Sequence, residues 1–211
     1  CCNNNIKRGG VFILRQMEQI QLDAKEVNRQ STIAFKKWKG LWENNLERNK
    51  QYISTSMADA IGVYKNKSAI LFAYGPSLEQ NIIQLKNSPL YKSENFVIGC
   101  VEKAFRALVQ RGINPDFVVV ADGSVNSNYL DNIPDEIIRN TILISNIYAS
   151  TGFCEKWASV AGKSKIFFYL NKDNINTHKH FGPLCDYWDI LPAASNVGNS
   201  LVVWTTQIFQ C

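Results

Sequence analysis

A chain of 211 residues with 45% hydrophobic and 11% aromatic content can bury a sizeable core, which excludes a low-complexity or disordered chain. Lys and Arg exceed Asp and Glu by 23 to 18, a formal charge of +5, but the basic residues are scattered apart from Lys36-Lys37-Trp38-Lys39. That cluster reads as a solvated helix face with no binding module around it, so nucleic acid is not an expected partner.

The six cysteines, at 1, 2, 100, 154, 185 and 211, form no CxxC pair and no spacing suited to a zinc site or disulfide framework. They read as reduced thiols of a cytoplasmic protein. No run approaches the roughly 18 apolar residues that span a bilayer, and Val11-Phe12-Ile13-Leu14 is too short for a signal-peptide core, so no membrane is expected. The start at Cys1 without Met and the apolar end at Cys211 lead to the expectation of a piece cut from a longer protein, lacking a C-terminal strand.

Along the chain, Leu14, Met17, Ile20, Ala24 and Val27 recur at spacings of three and four, which predicts an amphipathic helix from about Phe12 to Lys39. A second helix is predicted from about Trp42 to Ile61, stopped by Gly62. Its Asn-rich stretch, Glu43 to Asn49, reads as an exposed face. Residues 1–65 are therefore expected to form an N-terminal helical region.

From Ala69 onward short apolar runs alternate with helical patterns. The runs Ala69–Tyr74, Phe96–Cys100, Phe117–Ala121, Thr141–Ser145 and Lys165–Leu170 predict strands. Helices are predicted at Leu78–Lys86, Val101–Arg111, near Tyr129–Ile138, and at Asn199–Phe209. Strands apolar throughout are covered on both faces, so the expected fold for residues 66–211 is an α/β, Rossmann-like parallel sheet flanked by helices.

In such sheets ligands sit beyond the carboxyl ends of the strands. The candidates there are Gly75-Pro76-Ser77, Gly99-Cys100, Asp122-Gly123-Ser124, and Asn146, Tyr148 and Ser150. Gly75 would let a phosphate approach the helix N-terminus closely, and Ser77 would serve as an N-cap, with Gln80 as its capping-box partner, or turn to that phosphate. A carboxylate at Asp122 can hold a ribose hydroxyl or Mg²⁺, although Asp-Gly is also ordinary turn chemistry. Asp116, in Asn114-Pro115-Asp116, reads as a turn residue bonded to backbone.

The segment Ser195-Asn196-Val197-Gly198-Asn199-Ser200 offers amides and hydroxyls at another helix start, as a second anion or base-edge site or as plain capping. His178 and His180 are the two histidines. They are candidates for a general base, or residues of an exposed polar loop.

Three of these motifs, Ile70-Leu-Phe-Ala-Tyr-Gly75-Pro76-Ser77-Leu78, Gly112-Ile-Asn-Pro-Asp-Phe-Val-Val-Val-Ala-Asp122 and Ser195-Asn-Val-Gly-Asn-Ser200, stand in one order. The order resembles the family that joins archaeal MptE-like 6-hydroxymethylpterin diphosphokinases to bacterial motility accessory factors (Maf). The Gly-Pro-Ser turn is also similar to one in bacterial sialyltransferases.

The resemblance covers about residues 66–206 and implies a nucleotide-binding transferase. Gly75, Pro76 and Ser77 would lie at the phosphate end, Asp122 and Gly123 at ribose or metal, and Ser195, Asn196, Gly198 and Asn199 at base or donor. It implies two chemistries. One is glycosyl transfer of a nonulosonic acid from a CMP-activated donor to a flagellin-like protein. The other is diphosphoryl transfer from ATP with Mg²⁺ to a pterin alcohol.

Asp122 is the one well-placed carboxylate in this reading, so metal-free glycosyl transfer is preferred, with His178 or His180 as base. A domain that binds nucleotide, or a partner, without turnover is the reading from a different class. Tyr74 departs from the small residue usual before the Gly-Pro-Ser turn and would narrow the pocket or stack on a base.

Overall fold

The computed structural model of the chain describes residues 25–26, 29–30, 32–93, 95–125, 127–171, 180, 190–191 and 197–211. Two compact units divide it, Cys1–Lys39 and Gly40–Cys211. In the first, the described residues are helical, within the predicted Phe12–Lys39 span, while Leu14, Met17, Ile20, Ala24 and Val27 lie outside the described residues. There the Lys37 ammonium lies 4.8 Å from the centroid of the Trp38 ring, and the exposed Lys36 fits the solvated face.

The second unit opens with helical residues 40–49, here α1. The helix predicted to reach Ile61 stops there. A 3-10 turn, Lys50–Tyr52, follows, and another at Met57–Ala60. Beyond the first turn the chain is held from afar, the Thr55 hydroxyl donating to the Ile166 carbonyl. At Ser56 the backbone N–H donates to the Asp59 carboxylate at 2.8 Å, which starts the second turn.

The strands are β1 Ser68–Phe72, β2 Phe96–Val101, β3 Phe117–Val120, β4 Ile142–Asn146, β5 Ile166–Asn171 and a two-residue β6, Ile190–Leu191. All pair in parallel in sequential order, β1 through β6. The expected Rossmann-like α/β sandwich is what forms. Its strand order contains no reversal among the described strands, so no switch-point crevice locates a ligand in this sheet. The helices between strands are α2 Leu78–Lys86, α3 Glu102–Gln110, α4 Asp135–Asn140 and α5 Thr151–Val160. The helix predicted near Tyr129–Ile138 is broken. Asn132 takes a left-handed φ of 62°, and Pro134 stands as the N-cap of α4.

Both faces of the sheet are covered, which explains strands without polar alternation. On one face Phe105 of α3 and Phe153 of α5 pack against Trp157 at 5.8 and 6.4 Å between ring centroids. On the other lies the final helix, α6 Val197–Val203, which continues as a π-turn, Trp204–Ile208. There Phe209 meets Phe117 at 4.9 Å and Tyr64 at 5.0 Å, and Trp204 meets Tyr169 at 6.0 Å.

Gly99 belongs to this packing. A Cβ there would come within 2.2 Å of the Phe117 ring, so the glycine makes room for the ring and is not a ligand position. Cys100 and Cys154 are buried free thiols. Burial pushes the Cys154 thiol up to about 12, and Cys100 well above its ordinary value, leaving both unreactive. Among the described residues no helix is long and apolar enough to cross a membrane.

Candidate functional site

The carboxyl ends of β3 and β4 are held by α1, and the Asn-rich stretch expected to be exposed does the holding. Asn45 is 6% exposed and Asn49 fully buried. Asn45 Nδ2 donates to Gly123 O at 3.0 Å and Tyr148 O at 3.1 Å. Asn49 Nδ2 donates to Ile147 O at 2.8 Å and Ala149 O at 2.9 Å. Asn44, Glu47 and Arg48 are exposed as expected; for Asn45 and Asn49 the expectation fails because their amides face loop carbonyls that would otherwise be buried unsatisfied. Trp42, on the same helix, lies 4.9 Å from the Tyr148 ring.

The first of these loops carries the Asp122 turn. Asp122 is exposed, and its Oδ1 accepts from the Ser124 backbone N–H at 2.8 Å and hydroxyl at 2.9 Å. The turn chemistry and a solvent-facing carboxylate thus coexist. Gly123 is buried, and a Cβ there would meet Trp42 Cδ1 at 2.6 Å and Tyr148 O at 2.8 Å. Its lack of a side chain is accounted for by packing.

At the end of β1 the Gly75-Pro76-Ser77 turn leads into α2, with Leu78 N donating to Gly75 O at 3.0 Å. Gly75 has no positive φ, and a Cβ on it would meet nothing within 4 Å. Neither backbone nor packing demands a glycine there, so the open space in front of it is what the glycine preserves. Ser77 is exposed and makes no side-chain cap hydrogen bond. The expected capping box with Gln80 is absent, and the hydroxyl faces outward. The turn opens on a groove of about 570 Å³ along β1 and α2, lined among others by Tyr74, Gly75, Ser77, Asn81 and Gln84. Tyr74 is 62% exposed there.

After β2 the sequence points to Gly99 and Cys100, but the buried polar group there is Glu102, the first residue of α3. Glu102 is 2% exposed, and its Oε2 has no hydrogen-bond partner. Burial raises its pKa to about 7, against its own backbone N–H and Lys103, and the negative charge of Asp122 adds to the rise. Tyr169, in β5, was read as strand alone. Its hydroxyl is buried next to the Ser200 hydroxyl. Burial pushes the phenol well up, the charges of Tyr148 and Glu102 add to this, and the nearby Ser200 hydroxyl opposes it.

Asn146, beside Tyr169 in the β4–β5 register, is fully buried with Nδ2 unpartnered. Glu102 falls inside the helix predicted at Val101–Arg111, with no turn to mark it as Asp122 is marked.

Of the remaining expectations, Gly198 and Asn199 stand in the first turn of α6, Asn199 exposed. Ser195, Asn196 and His178 lie outside the described residues. His180 Nε2 is 2.6 Å from Glu43 Oε1, which joins it to α1 next to Trp42. Asp116 accepts from Ile98 N at 2.7 Å, a turn role as expected. No group of three metal-ligating side chains occurs among the described residues.

A protein-family model described as 6-hydroxymethylpterin diphosphokinase MptE-like matches residues 43–207. This span takes in α1 as well as the sheet. No curated protein matches the chain.

Proposed function

The chain belongs to the family of MptE-like 6-hydroxymethylpterin diphosphokinases, and on that premise we propose a nucleotide-dependent transferase that moves the diphosphoryl group of ATP onto the hydroxyl of a pterin-type alcohol. The observation that carries the choice is a second carboxylate, Glu102, directly after β2, the strand that pairs with the one leading to Asp122. A single carboxylate at the sheet end favoured a metal-free glycosyl transfer. Two carboxylates that feel each other's charge make a place where the cation accompanying ATP is welcome.

Gly75 and Ser77 would hold the phosphates at the N-terminus of α2, whose free N–H groups suit an anion. Asn199 and Gly198 would lie toward the donor. Asp122 fits Mg²⁺ in kind, since Mg²⁺ is commonly held by one or two carboxylates together with substrate phosphates. Its Oδ1 is engaged by Ser124 while the side chain stays exposed. When bound there, Mg²⁺ would neutralise charge on the transferring phosphates.

A second reading, glycosyl transfer from a CMP-activated nonulosonic acid to a flagellin-like protein, is favoured by a different observation. His180, whose Nε2 lies 2.6 Å from Glu43 Oε1, would act as the base for an acceptor hydroxyl. Serine and tyrosine hydroxyls can hold a leaving phosphate without metal. Both readings place the reaction with cytoplasmic nucleotides.

A thermal-shift panel separates them, because a ligand that binds only the folded state raises Tm. Stabilisation by ATP only with Mg²⁺, lost in the double variant Ser77→Ala/Asp122→Ala, is the expected result. Stabilisation by CMP or CTP without metal would replace it with sugar transfer. No shift from any nucleotide would leave a non-catalytic domain.

A further inference from the structure

Strand β1 is the first of the sheet order and, among the described strands, pairs with β2 alone, so its other side is an edge. Sheet edges are ordinarily guarded by charge, by proline or by a bulge. Ser68-Ala-Ile-Leu-Phe72 carries no charge and no proline, and its register with β2 runs unbroken. Ala69, Ile70 and Leu71 are only half-buried, whereas every residue of β3 and β4 is buried.

The groove of about 570 Å³ runs along this edge, between Ile70 and Leu71 of the strand and Asn81, Gln84 and Leu85 of α2. The three helix residues stand on one face, being three and four apart. Among the described residues no charged side chain lines the groove. An occupant of matching chemistry is an extended, uncharged and apolar segment, and β1 is itself such a segment.

We propose that β1 pairs with the β1 of a second copy of the chain, antiparallel about a two-fold axis, so that two sheets join into one. A two-fold interface is self-complementary, and a strand that meets its own copy across such an axis runs antiparallel to it. Full overlap of the five residues sets Ile70 opposite Ile70 and Ser68 opposite Phe72. Lys67, the exposed residue before β1, then stands opposite Ala73 instead of the other Lys67, so like charges do not face each other.

Ala73 precedes the Gly75-Pro76-Ser77 turn, where the described side chains that line the groove supply no cation. The partner's Lys67 brings an ammonium to that end, a point charge suited to a phosphate. Each copy thereby completes the other's turn. The role of the lysine rests on the proposal that this turn holds phosphates, while the pairing of the edges does not.

The test uses the whole chain. Light scattering over a dilution series should give twice the mass of one chain. Oxidised Ile70→Cys should form a covalent dimer well above the background from the native cysteines, because residues directly opposite on antiparallel strands have Cβ atoms about 5 Å apart. Ile83→Cys, at a half-exposed position of α2, should stay at background. Ile70→Lys sets two like charges face to face and should halve the mass; where that variant fails to fold, the crosslink decides. Lys67→Gln should keep the dimer and lower the affinity for ATP with Mg²⁺ about tenfold by calorimetry.

A monomer at every concentration would overturn the proposal and leave the edge to an extended peptide of another protein. A dimer in which Ile70→Cys crosslinks no better than Ile83→Cys would overturn it as well. Unchanged ATP affinity in Lys67→Gln would remove the lysine from the site. Crosslinking of Ile70→Cys in a protein that binds no ATP would keep the paired edge and reject the nucleotide reading.

Discussion

The side-chain amide of Asn49 donates to the backbone carbonyl of Ala149 at 2.9 Å, across a sequence separation of 100 residues. The same nitrogen reaches Ile147 O at 2.8 Å. One turn earlier, Asn45 repeats the device on Tyr148 O and Gly123 O. Two asparagines four residues apart on one helix face thus clamp four carbonyls of two loops, and those loops carry Asp122 and Tyr148. The helix is part of the site's scaffold, in keeping with a family match that begins at residue 43.

Asn49→Ala should therefore destabilise strongly. It leaves two loop carbonyls without this donor in a buried setting, a loss of about 2–4 kcal/mol. Urea unfolding should show a lower midpoint with an unchanged slope. A midpoint within error of wild type would mean that water reaches those carbonyls.

The two glycines of the candidate site should behave oppositely. Gly123→Ala drives a methyl into Trp42 and the Tyr148 carbonyl and should cost about 1–3 kcal/mol. Backbone cannot yield as a side chain can, so Trp42→Ala should restore only part of that loss.

Gly75→Ala, with nothing within 4 Å of the new methyl and no positive φ, should hold stability or raise it by about 0.4–1 kcal/mol. It should also diminish the Tm shift produced by ATP with Mg²⁺, since the methyl occupies the space the phosphate needs. A full shift in this variant would remove the turn from the phosphate site.

How far the sequence discloses this molecule differs by level. Strands β1 to β5 are legible because each is an apolar run, such as Phe117–Val120, whereas the two-residue β6, Ile190–Leu191, is too short to stand out. The parallel sheet follows from their lack of alternation. Where Pro134 interrupts a helical pattern, local chemistry overrides the period and the predicted helix is cut short; the helix expected to reach Ile61 stops at residue 49.

The site is less legible. Asp122 and Gly75 stand out because strand, turn and helix follow in order. Glu102 follows β2 with no turn between them, so it looks like an ordinary helical glutamate until the neighbouring strands bury it. Asn45 and Asn49 are legible as a helix face, but what that face covers is decided by loops about 80 to 100 residues later.

The last prediction concerns pH. Burial raises Glu102 from the usual 4.5 to about 7, so between these values the folded protein binds more protons than the unfolded chain. By linkage, stability then falls as pH rises from about 4.5 to about 7, and levels off above. The full loss attributable to this group is roughly 3 kcal/mol. Glu102→Gln removes the titration. Relative to wild type it should flatten this part of the stability curve and gain most above pH 7, where wild type buries a charge. Asp116, also raised by burial, contributes in the same direction in both proteins and cancels from the difference. Urea midpoints measured from pH 4 to 8 give that difference directly. A difference independent of pH would mean that Glu102 titrates near its ordinary value, with its unpartnered oxygen reached by solvent.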